Sequence, residues 1–240
     1  MRTFILIILL MFLAAPLSAG TGRIPEKLTY SLSWTGIPVG TASQSITDDG
    51  NSLQIKTEFK SNAWLSSFYP VDNQIETTLA RKPGYFPGEV RQFRMRFREG
   101  SRVRNRSITF DHVTGKAHYK DHLTNEMATA AIRPDTGDVM TAFYNARHLP
   151  VTSGATITLP VMDGPEPYLL EVKVLEIEKL RTILGKVETL VVQPMVRPEG
   201  TFEGKRGVKL WITNDARRIP VKIRTMVTVG SVTATLTGIE

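Results

Sequence analysis

Six arginines occupy alternate positions in the stretch QFRMRFREGSRVRNR, which spans residues 92–106. Guanidinium groups hold carboxylates and phosphates through paired hydrogen bonds, so two rows of them suit an anionic ligand. Successive side chains of a β-strand point to opposite faces, which separates these cations from the interleaved Phe93, Met95 and Phe97. The spacing predicts a hairpin with one cationic and one apolar face. Its candidate ligand-binding residues are Arg94, Arg96, Arg98, Arg102, Arg104 and Arg106.

The loop of this hairpin decides whether the two rows of arginines share a face. A three-residue loop over 99–101 would set the arginines of the two strands opposite one another, whereas a two-residue loop shifts the register by one and mixes the faces. The alternation favours the three-residue loop, with Gly100 at its centre. Since like charges opposed across strands are unfavourable, we expect the cationic face to be solvated or covered by anions.

Two interpretations of the cationic face remain open. In the first, the preceding strand neutralises it, because Asp72, Gln74 and Glu76 alternate in the same way. In the second, it binds an anionic ligand such as a phospholipid headgroup, lipopolysaccharide or an acidic glycan, and Lys116 and Lys120 extend it. Nucleic acid is electrostatically possible as a partner but is not expected, because the N-terminal pattern described below predicts export.

Four aromatic residues are further candidates for a ligand-binding site, as the lining of an apolar groove. They are Trp34, Trp64, Phe68 and Tyr69. The alternative is that each is an ordinary core residue, which is the commoner fate of an aromatic side chain.

The sequence contains no recognisable catalytic or metal-binding motif. It lacks a nucleophile elbow, a P-loop and a zinc-protease helix. His118 and His122 would lie about 13 Å apart on a strand, too far to share a zinc ion. No catalytic residue, metal site or cofactor is predicted, and the chain is interpreted as a non-enzymatic protein, with an unfamiliar activity left open.

The N-terminus has the pattern of a cleaved signal peptide over residues 1–19. Arg2 precedes an apolar run from Phe4 to Ala15, and small residues lead to Ala19. The alternative, a membrane anchor, needs about 20 apolar residues. The chain has no cysteine for a disulfide or a lipid anchor. We therefore expect a soluble periplasmic protein, and its net charge of +7 favours anionic partners.

Period-two alternation dominates the remaining chain and predicts a mainly β protein. We expect a single curved antiparallel meander, a half-barrel or open barrel, in one domain over residues 20–240. Strands are predicted at 28–34, 41–46, 53–59, 73–80, 85–98, 102–110, 116–122, 155–162, 168–180, 186–196, 206–213, 219–228 and 231–237. Helical spacing of Val139, Phe143 and Ala146 predicts one amphipathic helix near 136–148, capped by Asp135 or Thr136. The connection 62–72 is predicted to be irregular or helical.

Several stretches together resemble a bacterial exported family, domain of unknown function 3108. They are LTYSLSWTGIPVGTAS, SNAWLSSFYPVDNQIETTL, LGKVETLVVQP and LWITNDARRIPVKIRTMVTVGSVTATL. The resemblance implies a secreted or periplasmic, mostly β protein and supplies no catalytic residues. The segment LWITNDARRIPVKI is also similar in outline to periplasmic half-barrel carriers of lipids and lipoproteins, which hold acyl chains in a concave sheet.

These features lead to a functional hypothesis with two alternatives. The first is that the protein binds an amphiphilic or anionic envelope component, a lipid or glycan, without transforming it; a peripheral membrane contact is compatible with this. The alternatives are an envelope scaffold or assembly factor that docks a protein partner, and an uncharacterised envelope hydrolase. The oligomeric state is not predicted.

Overall fold

The computed structural model describes residues 24–82, 85–148, 152–196 and 207–240, so the predicted signal peptide lies outside the described residues. The first half contains β1 Glu26–Trp34, β2 Ile37–Asp48, β3 Ser52–Ser61, α1 Ala63–Ser66, β4 Val71–Lys82, β5 Tyr85–Glu99, β6 Arg102–Asp111, β7 Lys116–Asp121 and β8 Met127–Ala131. After α2 Val139–His148 come β9 Thr156–Val161, β10 Tyr168–Thr182, β11 Gly185–Val196, β12 Lys209–Thr213, β13 Pro220–Met226 and β14 Ser231–Ile239.

All fourteen described strands belong to one antiparallel sheet. Its order is β8-β7-β6-β5-β4-β3-β2-β1-β14-β13-β12-β11-β10-β9, so the two halves of the chain join where β1 pairs with β14. The sheet is open, with β8 and β9 as its edges. These features confirm the prediction of a mainly β, open, curved meander with one helix between two β halves.

Alternation divides each strand between two faces of the sheet. In β4, Asn73, Ile75, Thr77 and Leu79 are buried, whereas the residues between them are partly buried or exposed. We call the buried side, which carries α2, the inner face, and the other side the outer face. The end at which β1, β3, β5 and β13 finish is called the aromatic end.

The helix α2 begins later than predicted, and a different residue caps it. The carboxylate of Asp138 accepts hydrogen bonds from the backbone N–H groups of Met140 and Thr141, at 2.7 and 3.2 Å. The prediction of Asp135 or Thr136 as the cap was therefore wrong. Asp138 is fully buried and also accepts a bond from Thr77 on β4. Burial raises the pKa of Asp138, although the bonds from the Thr141 and Thr77 hydroxyls and from the helix N–H groups oppose that rise.

At its other end, α2 is held by a buried ion pair. Arg147 donates two hydrogen bonds to the carboxylate of Glu26 on β1, at 2.7 and 2.9 Å. Its Nε donates to the carbonyl of Arg218, and its guanidinium lies over the ring of Tyr144. Burial lowers the pKa of Arg147, but the bonds and charge of Glu26 outweigh burial, so the net pKa is raised. Arg147 therefore stays charged inside the protein.

These anchors show that α2 crosses the strands rather than following them. Pairing of Glu26 with Ile46, Ile46 with Ile55 and Ile55 with Thr77 puts Glu26 and Thr77 in one cross-strand row. Three strand spacings amount to about 14 Å, close to the roughly 15 Å length of a ten-residue helix. The helix therefore covers one row of the inner face.

The core forms three clusters around this helix. One lies on β2–β7 and includes Tyr144 of α2, and a second lies on β9–β12 and includes Ala142. The third lies mainly on β1 and β12–β14. Because α2 contributes to the first two clusters, it joins the two halves of the sheet.

Candidate functional site

The arginine hairpin is formed, but its register differs from the expected one. Arg98 pairs with Val103 and Arg104 with Phe97, so the loop is the two-residue Gly100–Ser101. The expectation that all six arginines share one face was therefore wrong. Arg94, Arg96 and Arg98 lie on the outer face. Arg102, Arg104 and Arg106 lie on the inner face, the side that also carries Phe93, Met95 and Phe97.

Two physical reasons account for this register. Gly100 has a φ of +62°, and a glycine with positive φ at the first loop position is typical of the two-residue type II′ hairpin. In this register each arginine faces an uncharged or acidic residue on the other strand instead of another arginine. The like-charge opposition of the expected register is thereby avoided.

Gly100 lies close to Tyr69 at the aromatic end, and this proximity leads to a first prediction. A Cβ atom at Gly100 would lie 2.7 Å from the ring of Tyr69, whereas Gly50 also has a positive φ but has open space around it. We expect Gly100→Ala to lower the free energy of unfolding by about 1–3 kcal/mol more than the matched control Gly50→Ala. Urea unfolding measures both, and equal losses would show that Tyr69 does not depend on this loop.

The outer arginines lie in a charge pattern shared with the neighbouring strands. Three cross-strand rows are formed, Lys56–Glu76–Arg94, Glu58–Gln74–Arg96 and Lys60–Asp72–Arg98. The expected pairing of these arginines with Asp72, Gln74 and Glu76 of β4 is thus found in the register, but few side-chain hydrogen bonds accompany it. The guanidinium of Arg96 donates to Gln74 at 2.8 Å, whereas those of Arg94 and Arg98 form no hydrogen bond or ion pair within the described chain. Arg94 and Arg98 therefore face Glu76 and Asp72 across the sheet without forming an ion pair with them.

On the inner face, the arginines are partly neutralised. Arg104 forms an ion pair with Glu99 at 3.0 Å and lies over the ring of Phe97. Arg106 forms one with Asp121 at 3.1 Å. A hydrogen bond from the Leu123 N–H and the bond from Arg106 lower the pKa of Asp121 against its burial. Both guanidiniums stay partly accessible, with side chains 41% and 29% exposed.

Beside these arginines lies an apolar surface that α2 leaves uncovered, which we call the inner patch. It consists of Leu32, Phe59, Phe97, Leu210 and Ile223, all half-buried. In contrast, Leu28, Ile46 and Phe93, in the rows nearer the helix, are at most 1% exposed.

The strand pairing places the inner patch in two adjacent rows of the sheet. Phe97 and Phe59 flank Asn73 in one row, and Arg104 is next in that row after Phe97. Leu32, Ala234, Ile223 and Leu210 follow one another in the adjacent row. The patch therefore runs across both halves of the sheet and meets the inner arginines at one side.

One buried polar group lies next to the inner patch without a partner. The side-chain nitrogen of Gln44 has no hydrogen-bond partner in the described residues, although Gln44 is 5% exposed. Gln44 pairs with Thr57 and lies one inward-facing position along β2 from Ala42, the partner of Phe59. A buried amide donor without a partner costs free energy, and a ligand or an ordered water would remove that cost.

Asp163, in the β9–β10 turn, is close enough to Arg106 for their charges to interact. Burial raises the pKa of Asp163 to about 6, although its hydrogen bond with Tyr168 opposes the rise. A raised folded-state pKa gives stability that is complete below the unfolded-state value and is lost as the pH rises through about 6.

This leads to a second prediction, for the variant Asp163→Asn, which keeps an oxygen acceptor for Tyr168 but cannot titrate. Between pH 4 and 8, we expect the wild type to lose about 2 kcal/mol of unfolding free energy relative to the variant. Parallel pH profiles from urea unfolding would contradict the assignment.

The four predicted aromatic residues are gathered at the aromatic end and do not belong to the core clusters. Trp34 ends β1, Trp64 is in α1, and Phe68 and Tyr69 follow it. All four are exposed, so they do not line the inner patch as expected. Trp34 is the last paired residue of β1, and the other three lie in α1 or the connection after it, away from the rows that form the inner patch.

The histidines form no catalytic arrangement in the described chain. Ser107 and His122 are hydrogen-bonded at 2.8 Å, but they are exposed, and no described carboxylate bonds to the imidazole to orient it as in a triad. Within the same residues, no group of three potential metal-ligating side chains occurs. No described helix is both long and apolar enough to cross a bilayer.

Comparison with known proteins gives a family and a fold. The family described as "Protein of unknown function (DUF3108)" matches residues 29–237. A β-barrel-like protein of domain of unknown function DUF1849 from Brucella abortus aligns over 92% of this chain and 98% of its own, with 10% identity and a TM-score of 0.63. A protein with a YmcC-like fold from Bacteroides fragilis NCTC 9343 aligns over 91% of this chain and 97% of its own, with 9% identity and a TM-score of 0.32. No curated protein matches significantly.

Proposed function

The chain belongs to the family of proteins of unknown function DUF3108, and we propose that it is an exported, periplasmic protein that binds an amphiphilic envelope component. The ligand has an acyl chain and an anionic headgroup, and the protein holds it without transforming it. The observation that carries the proposal is the inner patch, a half-buried apolar surface in two adjacent rows of the sheet, bordered by Arg104 and Arg106.

The apolar part of this site matches an acyl chain. Each buried methylene group contributes about 0.8 kcal/mol, so a chain lying along two rows of the sheet would be held by several kcal/mol. The inner patch offers rings and branched aliphatic groups from both halves of the sheet. It lies against the three core clusters, which fix its side chains before a ligand arrives. Such preorganisation favours binding.

The polar part matches an anionic headgroup. Arg104 and Arg106 each have one acidic partner, and their exposed fractions leave donors for a phosphate or carboxylate. Arg102 has no ion pair in the described chain and lies next along the same face. The unpartnered amide of Gln44 adds a donor deeper on the inner face.

Titration of delipidated protein with lysophosphatidylglycerol, kept below its micelle concentration, tests this proposal. We expect saturable binding of one molecule per chain in calorimetry. Lysophosphatidylcholine should bind more weakly because its headgroup has no net charge, and an acidic oligosaccharide without an acyl chain should not bind the inner patch. Equal binding of the oligosaccharide would indicate a glycan ligand, and no binding of either lipid would contradict the proposal.

A further inference from the structure

The distribution of exposed apolar side chains is strongly uneven. Every exposed aromatic side chain in the described residues lies at the aromatic end, and Phe68 reaches 67% exposure. Ile37 and Val229, in the neighbouring turns, are also exposed. We call the set of Trp34, Ile37, Trp64, Phe68, Tyr69 and Val229 the rim. Large exposed apolar groups gathered in one place indicate a contact surface.

The rim is held in place rather than loosely exposed. The indole of Trp64 and the side-chain amide of Asn62 both donate to the carbonyl of Pro38, at 3.0 and 2.9 Å. The indole of Trp34 donates to the carbonyl of Val229 at 2.7 Å. These bonds join α1 to the β1–β2 turn and β1 to the β13–β14 turn, while the rings of Trp34 and Trp64 stay exposed.

Cations without ion pairs accompany the rim. Lys60 is the residue before the end of β3, close to α1. Arg98 and Arg102 lie on either side of the loop whose Gly100 leaves no room for a Cβ atom beside the ring of Tyr69. None of the three forms an ion pair in the described chain. Tryptophan and tyrosine prefer the interface between lipid headgroups and acyl chains, and lysine or arginine beside them attracts anionic headgroups.

We propose that the rim docks the protein reversibly on an anionic phospholipid membrane, with Trp64 and Phe68 entering the interface and Lys60, Arg98 and Arg102 contacting phosphates. A membrane is favoured over a protein partner because aromatic side chains and unpaired cations occur together along several turns. This inference concerns the aromatic end of the molecule and goes beyond the proposed function. Vesicles test it, whereas a soluble monomeric amphiphile tests the inner patch, so each can fail alone.

Co-sedimentation with vesicles of phosphatidylethanolamine and phosphatidylglycerol at 3:1 tests docking, with phosphatidylcholine vesicles for comparison. We expect wild-type protein to partition at least tenfold more into the anionic vesicles. Trp64→Ser/Phe68→Ser should lower that partition at least tenfold. Its control, Val113→Ser, changes a side chain that is 91% exposed at the opposite end and should have no effect.

Two further comparisons test the contribution of the cations to vesicle binding and the depth to which Trp64 enters the bilayer. Arg98→Glu should weaken anionic-vesicle binding at least fivefold, whereas Lys186→Glu, an equal charge change at the opposite end, should not. Lipids brominated near the headgroup should quench part of the tryptophan fluorescence of a Trp34→Phe variant, because Trp64 would enter the interface whereas the other remaining tryptophan, Trp211, is buried. If the rim variants partition into anionic vesicles as strongly as the wild type does, the proposal is overturned. The absence of vesicle binding also overturns it, including the case in which the rim instead binds a protein.

Discussion

Replacing Arg147 by methionine is expected to destabilise the protein by about 3–5 kcal/mol, the loss typical of a buried ion pair that has lost one partner. The substitution leaves the Glu26 carboxylate buried without its two charge-assisted bonds and removes the donor to the carbonyl of Arg218. It also frees the C-terminal end of α2, which joins the two halves of the sheet. Urea unfolding at neutral pH measures the loss.

A double variant provides the matched control for this experiment. Arg147→Met/Glu26→Leu removes both charges, so most of the lost stability should return. Partial recovery is expected, because the bonds to the loop at Arg217 and Arg218 are not restored. If the double variant were as unstable as the single one, the ion pair itself would not be what holds α2.

The second large effect is a loss of ligand affinity, which is expected when the inner patch is changed. Phe59→Asp/Phe97→Asp places two carboxylates where the acyl chain would lie, and the one at position 97 is next to Arg104, which would hold the headgroup. Losing the contacts of two or three methylenes costs about 2 kcal/mol, or roughly 30-fold in affinity, and repulsion of the anion adds to it. Calorimetric titration with lysophosphatidylglycerol measures the change.

Leu169→Asp is the control for this substitution. Leu169 is partly exposed and lies between the buried Tyr168 and Leu170, so it points to the other face of β10. The variant adds one negative charge, against two in the test variant, outside the inner patch and should keep wild-type affinity. Equal loss in both variants would place the ligand elsewhere or show a general effect of added negative charge.

Much of the fold could be predicted because burial on one face leaves period-two alternation in the sequence. The strand β8 was missed because Met127–Ala131 consists largely of small residues, so its inward and outward positions differ little in hydrophobicity. The cap of α2 was misplaced because Asp135, Thr136 and Asp138 can all cap a helix. The structure distinguishes them, because Asp138 accepts bonds from the N–H groups of α2 and from Thr77 on a distant strand.

The candidate site was less predictable, because it depends on contacts between distant residues. The hairpin register changes with one loop residue, and that change moved Arg102, Arg104 and Arg106 to the inner face. The pairing of Arg147 with Glu26 was also missed. One feature did point to it, since Glu26 precedes Leu28, Tyr30 and Leu32 in the inward alternation of β1. An acid in that series needs a buried partner.

Mass spectrometry of the protein purified without detergent from its own cell envelope tests the central claim most directly. The inner patch predicts one anionic, acyl-chain-bearing molecule per chain in the wild type and its loss from Phe59→Asp/Phe97→Asp, while Leu169→Asp retains it. Ligand-free wild-type protein, or a ligand carried equally by all three proteins, would contradict the claim.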